Sequence, residues 1–251
     1  MTPTKHSTFP VATDEGPMEV HLFAPARAGR HLRQGVLLFQ EAFGVNGHIR
    51  RVGERLAEAG YTVAAPELFH RAGAGLEFGY GEFDKVRPMM APLTNARVLM
   101  DARAGYEALA AQPGVDPRQI AALGFCLGGF AAALTACHLR VATAVSFYGG
   151  GIARARPGFG LAPLLGDFGG LACPTLFIFG DQDQGIPAAD IEAIRSRLLA
   201  LGKPHEIAVY PGAGHGFFCD ERPSYHPAAA EQAWNKTLLW LESFLALPLA
   251  P

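Results

Sequence analysis

The segment Gly124-Phe125-Cys126-Leu127-Gly128-Gly129-Phe130 constrains the fold more than any other in the chain. It follows an apolar run at residues 120–123 and leads directly into an alanine-rich stretch that continues to about residue 139. A buried strand that passes through a small-residue turn straight into a helix begins a crossover, and crossovers join parallel strands. Where strand and helix approach so closely, side chains two positions either side of the turn apex would collide, so glycine is required at 124 and 128. Cys126 occupies the apex. The helix N-terminus beneath it adds partial positive charge, which favours thiolate over thiol.

The same alternation runs along the rest of the chain. Residues 35–40 (GVLLFQ) read as a buried strand, after which Asn46 caps a helix with Ile49, Val52, Leu56 and Ala59 on one face and Gly60 as its stop. A strand is expected at 61–65, a helix over 95–111 with Leu99, Ala102, Tyr106 and Leu109 at helical spacing, and the turn GVDP before the strand at 120–123. Further strands fall at 142–147, 175–179 and 206–210. Helices fall at 188–201 and in a last segment with Trp234, Leu238, Leu241 and Leu245 on one stripe. The expected class is α/β, a mostly parallel central sheet with helices on both faces, with residues 1–251 forming a single domain. Residues 70–92, rich in Gly and Pro, show no period and read either as the wall of a site or as a surface excursion.

Composition narrows the partners. Apolar residues make up 49% and charged residues 18% of the 251, which is ample for a large core and gives no sign of disorder. The balance of 21 basic against 23 acidic residues leaves no footprint for a nucleic acid or an acidic membrane face, so a small molecule is the expected partner. The first residues lack the order of a secretory signal, and no apolar run is long enough to span a bilayer, so a cytoplasmic location and no membrane partner are expected. The four cysteines, Cys126, Cys137, Cys173 and Cys219, are scattered and form no CxxC pair; they read as free thiols, with no metal and no cofactor expected.

Gly-x-Cys-x-Gly between strand and helix has the form of a nucleophile elbow, with cysteine in place of the commoner serine. A nucleophile needs a base, and the base an orienting acid, each at the end of a later strand. Asp183, in GDQDQGIP, follows the strand at 175–179; His215, in PGAGHGFF, follows that at 206–210. Asp181 competes for the acid position, but Ile186-Pro187 after Asp183 resembles the acid-bearing loop of α/β-hydrolases. Glu41, just past the strand at 35–40, is either a solvated turn residue or a carboxylate beside Cys126 that must find a partner or raise its own pKa. The other eight histidines read as surface or turn residues.

Together these pieces resemble the dienelactone hydrolase family, the cysteine branch of the α/β-hydrolases. The blocks QEAFGVNGHIRRVGERLAEAGY, APELFHR, GFCLGG, GDQDQGIP and GHGFFCDERPSYHPAAAEQAW carry the likeness over nearly the whole chain. The resemblance implies an α/β-hydrolase fold, with Cys126 as nucleophile, Asp183 and His215 completing a triad, and Glu41 as an extra carboxylate controlling the thiol. It also implies an oxyanion hole from the backbone N–H groups of Leu127 and Ala42. A thiolate leaves more readily than an alkoxide or amine, so activated esters, lactones and thioesters are favoured over amides. Phe43, Phe217, Arg87 and Arg97 are candidates for substrate binding. The family's carboxylate-binding arginine, four residues after the histidine, is replaced here by Cys219, while Arg222 reads as a solvated loop charge. Two other readings stand beside this one. A glutaminase would need glutamate where Phe217 stands, and a non-catalytic binding protein could keep the fold. A monomer or small homo-oligomer is expected.

Overall fold

The computed structural model describes residues 4–26 and 33–245. Within them, eight strands form one sheet: β1 (Thr4–Thr13), β2 (Gly16–Pro25), β3 (Gly35–Phe39), β4 (Thr62–Pro66), β5 (Ile120–Phe125), β6 (Thr143–Phe147), β7 (Thr175–Gly180) and β8 (His205–Tyr210). Their order across the sheet is β1-β2-β4-β3-β5-β6-β7-β8. All pairings from β4 to β8 are parallel, and β1 and β2 add an antiparallel edge. Strands β3 to β7 are buried along their whole length, which is why they read as continuous apolar runs rather than alternating ones.

Six helices surround the sheet: α1 (Gly47–Glu58), α2 (Phe83–Met90), α3 (Asn95–Ala110), α4 (Leu127–His138), α5 (Ala188–Ala200) and α6 (Pro227–Phe244). Right-handed crossovers decide their sides. The step from β3 out to β4 puts α1 on one face; the opposite steps through α3, α4 and α5 put those helices on the other. Helix α6 joins α1, whose Arg55 guanidinium lies 4.0 Å from the Trp234 ring centroid. Asn46 caps α1 by accepting from the Ile49 N–H, as its position before the apolar stripe predicts.

The β1–β2 hairpin was not legible as strands, because β1 is mostly exposed and lacks a continuous apolar run. Residues 70–92 are not wholly irregular either. They hold α2, a helix of 8 residues with Pro88 inside it, too short for a period to register.

Strand β3 lies between β4 on one side and β5 on the other, so the winding of the sheet reverses there. Parallel sheets open a crevice at the carboxyl ends of their strands at such a reversal. The loop after β3 and the turn after β5 both end at that crevice.

Candidate active site

Cys126 adopts φ 55° and ψ −112°, a left-handed backbone that a non-glycine residue rarely holds. The turn leaves no room for Cβ atoms around it. A Cβ on Gly124 would lie 2.1 Å from the Gly128 carbonyl oxygen, and one on Gly128 would lie 2.3 Å from that of Phe39. The Cys126 N–H donates to the Phe147 carbonyl at 3.0 Å, tying the apex to β6.

His215 Nε2 lies 3.1 Å from Cys126 Sγ, and its Nδ1 lies 2.7 Å from Asp183 Oδ2. The other Asp183 oxygen accepts from the Gly185 and Ile186 N–H groups, so this buried carboxylate is satisfied on both sides. Asp181 has a different task. It is exposed and accepts from the Gly212 N–H, closing the turn that leads to His215. Ser224 donates to the His215 carbonyl at 2.7 Å and steadies the same loop.

Charge in this group is set by competition. Burial alone would push the Cys126 thiol up, but the adjacent His215 imidazole overrides it and holds the thiol below its ordinary value; Arg222 adds to this and Glu41 opposes it. Burial would lower His215, yet Cys126 and Asp183 together raise it to about 10. The two shifts share one cause, the close approach of thiol and imidazole, and both favour the ionised pair over the neutral one. The remaining thiols behave in the opposite way: burial pushes Cys137 up to about 12 and Cys173 and Cys219 up to about 11.

Glu41 is fully buried, and burial raises its carboxyl against the pull of Arg222 and His215. Arg222 Nη1 donates to Glu41 Oε1 at 3.2 Å, with its guanidinium over the rings of Phe43 and Tyr80. Glu41 Oε2 and the Tyr148 hydroxyl are both buried without a well-formed hydrogen bond, and each influences the other's ionisation. Tyr148, at φ 35°, also sets its ring edge-on to His215 at 5.2 Å. Gln40 holds the loop from below: its side chain donates to the Glu41 carbonyl and accepts from the Leu68 N–H.

A cavity of about 290 Å³ opens above Cys126. Its wall is mostly apolar, with Phe43, Phe83, Val86, Met90, Phe159 and Leu161, and both Leu127 and Ala42 line it. Leu127 is the first residue of α4, so its N–H has no acceptor within the helix. Phe83, Val86 and Met90 come from α2, so part of the segment at 70–92 is a cavity wall.

Several expectations need correction. Arg97 lies outside this cavity, its guanidinium bonded to Glu15 and the Pro92 carbonyl. Arg87 is exposed beyond the rim near Gly158, and Phe217 is wholly buried between Tyr148 and Tyr210. Arg222 is no solvated loop charge: only 12% of its side chain is exposed, because the buried Glu41 requires a cation. Three further histidines are buried, with His21 against Glu67 and His70 against Asp101, while burial lowers His48 to about 4. His48, Cys219 and Asp220 bring possible metal donors within 4.8 Å of one another, but Asp220 is held by Arg51 and the Cys219 thiol donates to the Tyr80 hydroxyl. Arg156, which no motif singled out, lines the cavity.

Comparison with known proteins identifies the family. The sequence model of the dienelactone hydrolase family matches residues 18–245. A Synechocystis sp. protein with a provisional carboxymethylenebutenolidase assignment is 38% identical over 219 residues, 86% of this chain and 87% of that one. A Bradyrhizobium sp. protein provisionally assigned as 2-oxo-3-(5-oxofuran-2-ylidene)propanoate lactonase is 29% identical over 221 residues, 88% of this chain and 87% of that one. A solved structure from Klebsiella pneumoniae, provisionally a dienelactone hydrolase, superposes with a TM-score of 0.87 at 29% identity and covers 96% of this chain and 100% of its own. With its α/β-hydrolase fold and a family match across nearly its whole length, the chain belongs to the dienelactone hydrolase family and is a hydrolase of lactones or esters, acting on a small-molecule substrate.

Proposed function

We propose that the protein hydrolyses activated carboxylic esters or lactones through a thioester on Cys126. The observation that carries this reading is the Nε2 to Sγ distance of 3.1 Å, with His215 raised and Cys126 lowered in pKa as an ion pair requires. The thiolate adds to the substrate carbonyl, and the tetrahedral oxyanion is met by the N–H groups of Leu127 and Ala42. His215 then passes its proton to the departing alkoxide or enolate as the carbon–oxygen bond breaks, leaving the acyl group on sulfur. In the second half, His215 takes a proton from water, hydroxide adds to the thioester, and the carboxylic acid leaves as the thiolate reforms. Asp183 holds the imidazole in the orientation both halves need.

Glu41, in this reading, controls the ionisation of the thiol and is itself held by Arg222. Its buried negative charge works against the thiolate, so a carboxylate drawn towards Arg222 leaves Cys126 easier to ionise. Residues 1–251 act as one α/β-hydrolase domain.

The test is to trap the intermediate. After rapid mixing with p-nitrophenyl acetate and an acid quench, intact-mass and peptide analysis should find one acetyl group on Cys126. Acetyl on a serine, or on another cysteine at equal yield, would reject the mechanism. Turnover without any trapped acyl-enzyme, undiminished in Cys126→Ala, would reject it as well.

A further inference from the structure

Arg156 lies between β6 and β7 and lines the same cavity as Cys126 and His215, with its side chain half-buried. Three other arginines near the site have carboxylate partners, Arg222 with Glu41, Arg154 with Asp190 and Arg97 with Glu15, while Arg87 is exposed to solvent beyond the rim. Among the described residues, the Arg156 guanidinium meets no carboxylate at ion-pair distance and makes no hydrogen bond. The Phe159 ring lies 5.9 Å from the guanidinium carbon to the centroid, and the Arg156 charge also reaches the Asp183 carboxylate, helping to hold it low, though beyond ion-pair distance.

The surrounding backbone is shaped to hold it. A Cβ on Gly150 would come 2.4 Å from its Nη1, and a Cβ on Gly185 would come 2.4 Å from its Nη2. Two glycines on separate loops therefore make the slot in which the guanidinium lies, and Gly185 is the residue whose N–H holds Asp183. A guanidinium in a mostly apolar cavity has lost part of its hydration and keeps five donors in a planar fork without an acceptor. A carboxylate matches that fork with two parallel hydrogen bonds.

We propose that Arg156 is the specificity-determining cation of this site and binds a carboxylate carried by the substrate, with the apolar part of that molecule against Phe43, Phe83, Met90 and Phe159. This rests on the ester or lactone hydrolase reading above. Arg222 is a poorer candidate because its charge is committed to Glu41.

The test compares two aryl esters of equal shape, one bearing a carboxylate and the other a carboxamide, and takes the ratio of their kcat/KM values within each variant. The wild type should favour the carboxylate ester. Arg156→Gln should lower that ratio by roughly ten- to hundredfold, chiefly through KM, and Arg156→Lys should restore part of it. An unchanged ratio in Arg156→Gln, a wild-type preference for the carboxamide, or a ratio that collapses only in Arg222→Gln would overturn the assignment.

A second readout does not depend on turnover. Benzoate should slow alkylation of Cys126 by iodoacetamide in the wild type and much less so in Arg156→Gln; no protection in the wild type, or equal protection in both, would count against the site. Should neither ester be hydrolysed while benzoate still protects through Arg156, the hydrolase reading would fall and the anion site would stand.

Discussion

Arg222 Nη1 and Glu41 Oε1 meet at 3.2 Å across 181 residues of sequence, with Arg222 lining the same cavity as Cys126 and Glu41 fully buried behind it. Neither residue is explained without the other. A buried carboxylate with no cation would take up a proton, and an arginine on the loop after His215 would otherwise lie in water. Because Glu41 raises the Cys126 thiol and Arg222 lowers it, the pair also bears on how readily that thiol ionises.

Removing the Glu41 carboxylate should change how stability depends on pH. The ordinary value for glutamate is 4.5, and Glu41 lies above it because of burial. Below 4.5 both folded and unfolded chains hold the proton, so the residue costs nothing; as pH rises through the raised folded value, the folded state carries a buried charge that the unfolded chain keeps in water. Urea denaturation should therefore show Glu41→Gln gaining on the wild type as pH increases from 4 to 8. A difference that is flat, or that shrinks with pH, would refute this.

Arg222→Gln breaks the same pair from the other side and leaves the carboxylate buried alone. A loss of about 3–5 kcal/mol is expected near neutral pH, and it should diminish in acid as Glu41 becomes protonated. Chemical denaturation at pH 5 and pH 8 measures both numbers. Equal losses at the two values would show that Arg222 acts by packing rather than charge.

Alkylation should single out Cys126. Cys137, Cys173 and Cys219 are pushed up to between about 11 and about 12, whereas Cys126 is held below its ordinary value and faces the cavity. A lowered thiol is ionised at lower pH, so the rate of iodoacetamide labelling at Cys126 should reach its plateau below the usual thiol range. His215→Ala should move that profile to higher pH. Peptide mapping that finds labelling mainly at another cysteine would contradict the assignment.

Turnover of p-nitrophenyl acetate should fall by at least about a thousandfold in Cys126→Ala, a loss typical of removing a nucleophile. Initial rates suffice to measure it. Retention of most of the activity would move the chemistry elsewhere in the pocket.

Gly128→Ala tests the turn. Its Cβ would lie 2.3 Å from the Phe39 carbonyl oxygen and 2.6 Å from that of Gln40, both backbone atoms that cannot swing aside. A loss of about 1–3 kcal/mol is expected from overpacking. Thermal and urea denaturation that match the wild type would mean that β3 yields more easily than this geometry allows.

Much of this protein could be read along the chain because the information is local. Buried parallel strands are continuous apolar runs, helices repeat their apolar faces, and Gly124 and Gly128 flank the apex thiol within five residues. Cys126, Asp183 and His215 were placed from the same logic, since each stands just past the end of its own strand. The β1–β2 edge and helix α2 escaped it, one for lack of burial and the other for lack of length.

What the chain could not announce is which charges meet. Arg87, Arg97, Arg156 and Arg222 look alike as letters. Folding sends Arg97 to Glu15, leaves Arg87 beyond the rim, buries Arg222 on Glu41, and sets Arg156 between two glycine backbones in the cavity. The sequence by itself determined the buried parallel strands, the elbow and the order of Cys126, Asp183 and His215 past their strands, because those depend on short-range pattern. Tertiary structure alone decided the charge partners, because a side chain's energy in a cavity depends on burial and on neighbours brought from distant loops.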